Sequence, residues 1–376
     1  MSDSTDPQAR ESPPPPTLAQ LGLQRRTVPA PRVPNGYALS RVAVEHRGAY
    51  ELVDGTGEVT GALDAAERRA ARSPFDYPTV GDWVVRSTEP RSDRRVAITD
   101  VLDRTSLLCR RAAGPRTRPQ LVAANADTLA VVTTPAPSGS GSAADWAASH
   151  PAGHRIEWYL TAAFSGGARP VIVVNKIDTV SNVEYEATVD ALRRRLGSAA
   201  AAVPILATSA LDGHGLDSLG ALTGDGGTVA LSGPSGVGKS SLVNRLAGAE
   251  VMPVAPLSPD GRGRHTTVRR QLVPVGGPDG GTFVDTPGLQ DLIPWSGDLG
   301  LPAGAAVLDG LAQTFGDVTA LAQHCRFADC SHSVEPGCAV IAAVQSGELA
   351  AQRLNTYLEL VADMAGDRFG DRSSPR

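Results

Sequence analysis

From about Tyr37 to Arg111 the chain is a succession of short apolar runs, each closed by a turn signal. Ala38–Val44, Tyr50–Val53, Val80–Arg86, Arg95–Val101 and Ser106–Arg110 are rich in Val, Thr, Ile and Leu and have strand length. Asp54-Gly55-Thr56-Gly57 and Gly81-Asp82 mark turns among them. With one helical stretch at Ala62–Ala71, these strands predict a small β-barrel, either an OB-fold or another five-stranded barrel. From about Gln120 to Asp291 the pattern changes. Apolar runs at Leu129–Val132, Val171–Val174, Ile205–Ala207, Val229–Leu231 and Thr282–Val284 alternate with helical stretches such as Arg155–Ala163, Val183–Leu196 and Lys239–Ala247. Strands that are apolar on both faces and separated by helices predict a parallel sheet covered on both sides. Beyond Asp291 the pattern is helical, with Leu308–Leu321, Cys338–Ser346 and Leu349–Asp363 as the candidates.

Two segments lack periodicity. Residues 1–36, rich in Pro, Ser and Arg, are expected to form a disordered tail, and Pro135–Gly153 a mobile surface loop. The remainder divides into a barrel (37–116), an α/β domain (117–293) and a mainly helical domain (294–376). A length of 376 residues accommodates several cores at about 150 residues each.

The overall charge of −5 and 20% charged residues describe an ordinary globular chain, with no bulk bias toward nucleic acid. Residues 1–118, however, hold 18 Arg, no Lys and 15 acidic residues, which makes that part net basic. No apolar run reaches the roughly 20 residues that cross a bilayer, and the start has neither the charge nor the apolar stretch of a secretory signal. A cytoplasmic protein without membrane contact is expected. Three of the four cysteines crowd together near His332, which in a reducing compartment favours metal over disulfide. Cys109 stands apart and reads as a small buried apolar residue.

Chemistry concentrates in five places. Gly233-Pro234-Ser235-Gly236-Val237-Gly238-Lys239-Ser240 follows a strand and opens a helix, the setting a phosphate-binding loop requires. Its backbone N–H groups would cradle phosphates, Lys239 would reach the β- and γ-phosphates, and the Ser240 hydroxyl would ligate Mg²⁺. Asn175-Lys176-Ile177-Asp178 follows an earlier strand, and a carboxylate at Asp178 can accept two hydrogen bonds from guanine that adenine cannot supply. Thr208-Ser209-Ala210 ends the next strand and suits a backbone contact to the guanine carbonyl. Asp285-Thr286-Pro287-Gly288 would hold the Mg²⁺ shell through Asp285 and meet the γ-phosphate through the Gly288 N–H. Between these, Gly261–Thr267 is a glycine-rich switch candidate in which Thr266 and Thr267 would close on Mg²⁺ and phosphate. Of 35 basic residues only Lys176 and Lys239 are lysines, and both fall inside nucleotide motifs. The catalytic water would be oriented by His265 or by Gln290, because Leu289 stands where a glutamine would otherwise do so; slow hydrolysis without a partner follows. Finally, Cys325, Cys330, His332 and Cys338 supply three thiolates and an imidazole, enough for a closed structural Zn²⁺ site, reduced cysteines without metal being the alternative.

With the base-reading motif placed before the phosphate loop and CRFADCSHSVEPGCAV at 325–340, the chain resembles the RsgA (YjeQ) family of circularly permuted GTPases. The resemblance implies an N-terminal OB-fold, a permuted central GTPase domain and a zinc-binding helical domain. It also implies action late in maturation of the 30S subunit, with GTP and GDP, the subunit and its 16S rRNA as partners, for a protein expected to be a monomer. By position it puts guanine recognition on Asn175, Lys176, Asp178, Ser209 and Ala210 and phosphate binding on Gly233 through Ser241. Two other readings are a permuted GTPase of large-subunit assembly, and a nucleotide-gated RNA-binding module in which hydrolysis is incidental.

Overall fold

Strands β1 (Tyr37–His46), β2 (Ala49–Asp54) and β3 (Gly57–Leu63) run consecutively, and helix α1 (Ala65–Ala70) leads to β4 (Trp83–Pro90) and β5 (Val96–Val101). They pair in the order β1-β2-β3-β5-β4, and β4 returns to β1, closing a five-stranded barrel of OB type. Val42, Leu52, Leu63, Val84 and Ile98 fill it. The computed structural model that shows this describes residues 15–26, 32–112, 118–137, 142–149, 155–253, 270–275, 280–286, 294–295 and 307–365.

The barrel has the expected number of strands but not the expected membership. Gly57–Leu63, which runs from the end of the expected turn at Asp54–Gly57 into the start of the expected helix Ala62–Ala71, is its third strand. The run near Ser106–Arg110 is β6 (Leu107–Arg111), which leaves the barrel and pairs with β7 (Pro119–Ala124) as a separate hairpin. Local composition marks a strand but does not choose its partner. The hairpin packs Leu107, Cys109 and Leu121 against Phe75 and Trp295, so Cys109 is indeed buried.

The central domain contains β8 (Thr128–Thr133), α2 (Ala143–Ser149), α3 (Ile156–Ser165), β9 (Arg169–Val174), α4 (Asn182–Leu196), β10 (Ile205–Ala207), α5 (Leu216–Ala221), β11 (Thr228–Ser232), α6 (Lys239–Ala247), β12 (Gln271–Val275) and β13 (Gly281–Asp285). Its sheet runs β10-β9-β8-β11-β13-β12, parallel except for β12. Helix α4 starts at a capping box of Ser181 and Glu184 and ends with Arg193, Arg194 and Arg195 beside its negative pole. Within the segment expected to be a mobile loop, α2 folds and buries Trp146 and Ala147 in the domain core. Burying one indole outweighs the weak local preference of the small residues around it.

Among the described residues a single β-bridge, Val44 to Gln271, joins barrel and sheet. Across the same boundary, residues 15–26 of the expected tail are docked, with Leu21 fully buried and Gln24 donating to the Asp225 carbonyl.

Four helices follow among the described residues: α7 (Val307–Thr314), α8 (Gly316–Ala322), α9 (Ala339–Ser346) and α10 (Ala351–Ala365). The expected helix Leu308–Leu321 breaks at Phe315, which turns inward to the core of Val318, Val340, Leu354 and Leu360, and Gly316 favours the break. No helix of the described residues is long and apolar enough to cross a membrane.

Candidate nucleotide site and cysteine cluster

Three of the candidate loops leave the same edge of the parallel sheet, at the C-terminal ends of neighbouring strands where such folds bind ligands. The Gly233–Ser240 loop follows β11 and passes into α6. No acidic residue stands in the first turn of α6, so its N–H groups and partial positive charge face the loop uncompensated. Gly238 has φ +98°, and a Cβ there would overlap the Asn175 side-chain amide. Its lack of a side chain lets the base-reading loop close on the phosphate loop.

That closure is made of specific bonds. Asn175 Nδ2 donates to the Val237 carbonyl at 2.7 Å, and Lys176 Nζ donates to the Gly236 carbonyl at 2.6 Å. Asn175 Oδ1 in turn accepts from Thr208 Oγ1 and from the Ala210 N–H, each at 3.3 Å. One buried amide therefore holds three loops together, with both its ends in use. Lys176 adopts φ +66°, a left-handed conformation that costs an L-residue on the order of 1–2 kcal/mol and is offset here by its bond to the phosphate loop. Ile177 packs against the core while Asp178 is exposed at the lip. The buried Ser209 shapes its own turn, its Oγ accepting from the Leu211 and Asp212 N–H groups. Thr208 was a flanking residue in the sequence, and its part in orienting Asn175 emerges only from the strand pairing.

Lys239 Nζ lies in the mouth of the loop and donates to the Gly233 and Pro234 carbonyls at 2.8 and 2.9 Å. Burial lowers its pKa, with Asp285 opposing. Asp285 ends β13, 2% exposed, and burial pushes its pKa up to about 6 against the pull of Lys239. Among the described residues its Oδ1 is buried without a hydrogen-bond partner, a carboxylate oxygen open to a cation. Thr286 Oγ1 is bonded to the Leu231 carbonyl, tying β13 to the strand that precedes the phosphate loop. Pro234, Ser235, Ser240 and Ser241 are partly accessible around this mouth. His265, Thr266, Thr267, Gly288, Leu289 and Gln290 lie outside the described residues.

The cysteine cluster is built on the loop between α8 and α9. Cys325 Sγ and Cys338 Sγ are 3.8 Å apart and stand 3.6 and 3.5 Å from His332 Nδ1, and with Cys330 all four ligand atoms lie within 4.8 Å of one another. His332 has φ +57°, which turns its ring back toward the thiols. Cys338 is also the N-cap of α9, accepting from the Ile341 N–H, so the cluster is tied to the helical core. Such a Cys₃His set could hold a metal ion.

Residues 101–294 match the model of a family described as RsgA GTPase. The chain is 36% identical over 339 residues to the small ribosomal subunit biogenesis GTPase RsgA 2 of Lactiplantibacillus plantarum, covering 90% of this chain and 86% of that protein. It is 37% identical over 335 residues to the small ribosomal subunit biogenesis GTPase RsgA of Streptomyces avermitilis, covering 89% and 81%. Among solved structures, YjeQ from Thermotoga maritima superposes with a TM-score of 0.57 at 25% identity, over 88% of this chain and 99% of that one. YloQ, described as a circularly permuted GTPase, superposes with a TM-score of 0.54 at 22% identity over 91% and 98%, a likeness of fold.

Proposed function

The chain belongs to the RsgA family of GTPases, and from that premise we propose that it hydrolyses GTP late in maturation of the 30S ribosomal subunit, which stimulates turnover. The observation that carries this reading is the contact between loops of reversed order: Asn175 and Lys176, which precede the phosphate loop in the chain, donate into its backbone. Guanine is read by Asp178, with Asn175, Lys176, Ile177, Ser209 and Ala210 shaping the base pocket, and Gly233 to Ser241 hold the phosphates. Mg²⁺ would be held by Ser240, Asp285 and Thr267, and would neutralise charge on the β- and γ-phosphates. The partnerless Oδ1 of Asp285 supports that ligand set. Turnover needs Lys239 on the phosphates, and His265, Thr266 and Thr267 around the attacking water.

The metal of the cysteine cluster is zinc, in a structural role. Two thiolates on a tetrahedral zinc are about 3.8 Å apart and about 3.6 Å from a ligating imidazole nitrogen. The three ligand distances that include Cys325, Cys338 and His332 support that geometry. The barrel of 37–116 and the helical domain of 294–376 bind 16S rRNA on either side of the GTPase domain of 117–293, in a cytoplasmic monomer.

The decisive measurement is GTP turnover with and without 30S and 50S subunits. Acceleration of at least about tenfold by 30S alone is expected; acceleration by 50S alone, or by neither, rejects the proposal. For the base reading, Asp178→Asn is expected to shift preference from guanosine to xanthosine triphosphate, because an amide complements the extra carbonyl. Unchanged selectivity would place guanine elsewhere.

A further inference from the structure

Beside the bridge between barrel and sheet lies a cleft of about 940 Å³ that the nucleotide site does not use. Arg47 and His46 enter it from the β1–β2 turn, Arg68 from α1, Arg270 from the start of β12, and Tyr77 forms its rim, 40% exposed. Among the described residues Glu45 is the one acidic lining residue, and the nearby Glu51 is paired with His46 at 2.6 Å. Arg47 is exposed and has no ion-pair partner among the described residues. Three guanidinium groups around one carboxylate, with an accessible aromatic ring at the rim, suit a phosphodiester carrying an unstacked base.

Arg270 is held in this cleft by two bonds, to Glu45 Oε2 at 3.4 Å and to the Leu121 carbonyl. The first is a cross-strand pair, because Val44 and Gln271 form the bridge where barrel meets sheet. The same row of paired residues continues from Gln271 to Asp285 and from Asp285 to Leu231. In sequence Arg270 follows Thr266 and Thr267 by four and three residues.

We propose that the cleft takes a single-stranded RNA segment whose phosphate draws Arg270 away from Glu45, so that RNA binding repositions β12 and thereby sets GTP turnover. This deepens the proposed function and rests on it. The test combines binding of a fluorescent single-stranded RNA oligonucleotide with GTP turnover in the presence and absence of 30S subunits. Arg47→Gln/Arg68→Gln and Tyr77→Ala are each expected to weaken RNA binding about tenfold. Arg270→Gln should lower both RNA affinity and 30S stimulation about tenfold, and Arg270→Lys should retain part of each. Glu45→Gln should tighten RNA binding, and Glu45→Gln/Arg270→Gln should match Arg270→Gln alone, because the two residues act through one pair. RNA affinity within twofold of wild type in the Arg47/Arg68 and Tyr77 variants, or strict additivity of the Glu45 and Arg270 effects, overturns the proposal. So does equal affinity for polyglutamate, which would mark a general anion-binding protein surface. If 30S accelerates wild type and Arg270→Gln alike, the functional reading stands and this coupling falls; if 30S accelerates neither, the functional reading itself falls.

Discussion

Arg41 reaches from the barrel into the central sheet, and Arg353 reaches from the helical domain onto α4. Both are almost inaccessible, at 1% and 5% exposed, and both lie over an aromatic ring, Trp83 at 5.6 Å and Phe315 at 4.2 Å. Their counter-charges differ. Arg41 donates to the Gly81, Leu21 and Asn125 carbonyls and to the hydroxyls of Thr228 and Thr282, all neutral acceptors. Burial pulls its pKa down to about 10, with Asp127 and Asp82 opposing. Arg353 brings its own carboxylate, Asp317 at 3.1 Å, and crosses the junction with a bond to the Arg195 carbonyl. A charge whose direct partners are all neutral dipoles requires every contributing segment in place at once, whereas a pair neutral in sum asks only for contact. The barrel is thus pinned in register, and the helical domain is seated by shape.

Removing the pin should have the largest effect. Arg41→Met takes the donor from the buried Leu21 and Asn125 carbonyls, while the Gly81 carbonyl keeps Asn125 Nδ2, and should cost about 4 kcal/mol, read as a fall of roughly 10 °C in thermal unfolding. Arg41→Lys should recover less than half, since one ammonium cannot span acceptors from five segments. A loss under about 1 kcal/mol would erase the distinction between the junctions.

At the other junction the sensitive feature is shape. Gly310 of α7 lies against α3, where a Cβ would stand 2.6 Å from the Thr161 carbonyl oxygen and 2.7 Å from the Ser165 nitrogen. Both are backbone atoms, so Gly310→Ala must push the helices apart, at a cost of about 3 kcal/mol. Arg353→Met should cost less, about 2 kcal/mol, because Asp317 is partly accessible once its partner is gone. Adding Asp317→Asn should return about half of that loss, while Asp127→Asn should return nothing to Arg41→Met. Urea unfolding of the singles and doubles reads both cycles; recovery at the barrel junction would contradict the comparison.

Neither arginine could be singled out from the chain, and the reason separates what was legible from what was not. The nucleotide loops are contiguous motifs at strand ends, so their residues and their convergence followed from the βα pattern. The cysteine cluster was equally legible, because all four of its ligands fall within 14 residues. Thr208, Arg41 and Arg270 act through partners far away in sequence, and only strand pairing brings those partners close. The same limit explains why Leu107–Arg111 was placed in the barrel and why Gly57–Leu63 was not: propensity marks a strand, and tertiary contacts choose its neighbour. The docking of residues 15–26 and of α2 is led by one large buried side chain in each, Leu21 and Trp146, within polar or small-residue stretches that carry no periodic signal.

The smallest expected difference compares one substitution at the two junctions. Each contains a pair of buried threonines in contact, Thr161 with Thr314 and Thr228 with Thr282, both at 3.0 Å. Thr161 Oγ1 donates to Thr314 Oγ1, which passes its own proton to the Gly310 carbonyl at 2.8 Å. Thr161→Val therefore removes one hydrogen bond and leaves no buried donor stranded, for about 1 kcal/mol. Thr228 Oγ1 instead accepts from Arg41 Nη1 at 2.8 Å, and Thr282 Oγ1, at 3.4 Å, is a weaker substitute. Thr228→Val leaves a guanidinium N–H against a methyl group, and because that donor is charged the cost should be about 2 kcal/mol. Urea midpoints measured at matched slopes resolve a difference of this size. Equal losses would mean that Arg41 finds another acceptor, and that the barrel junction tolerates rearrangement as readily as the helical one.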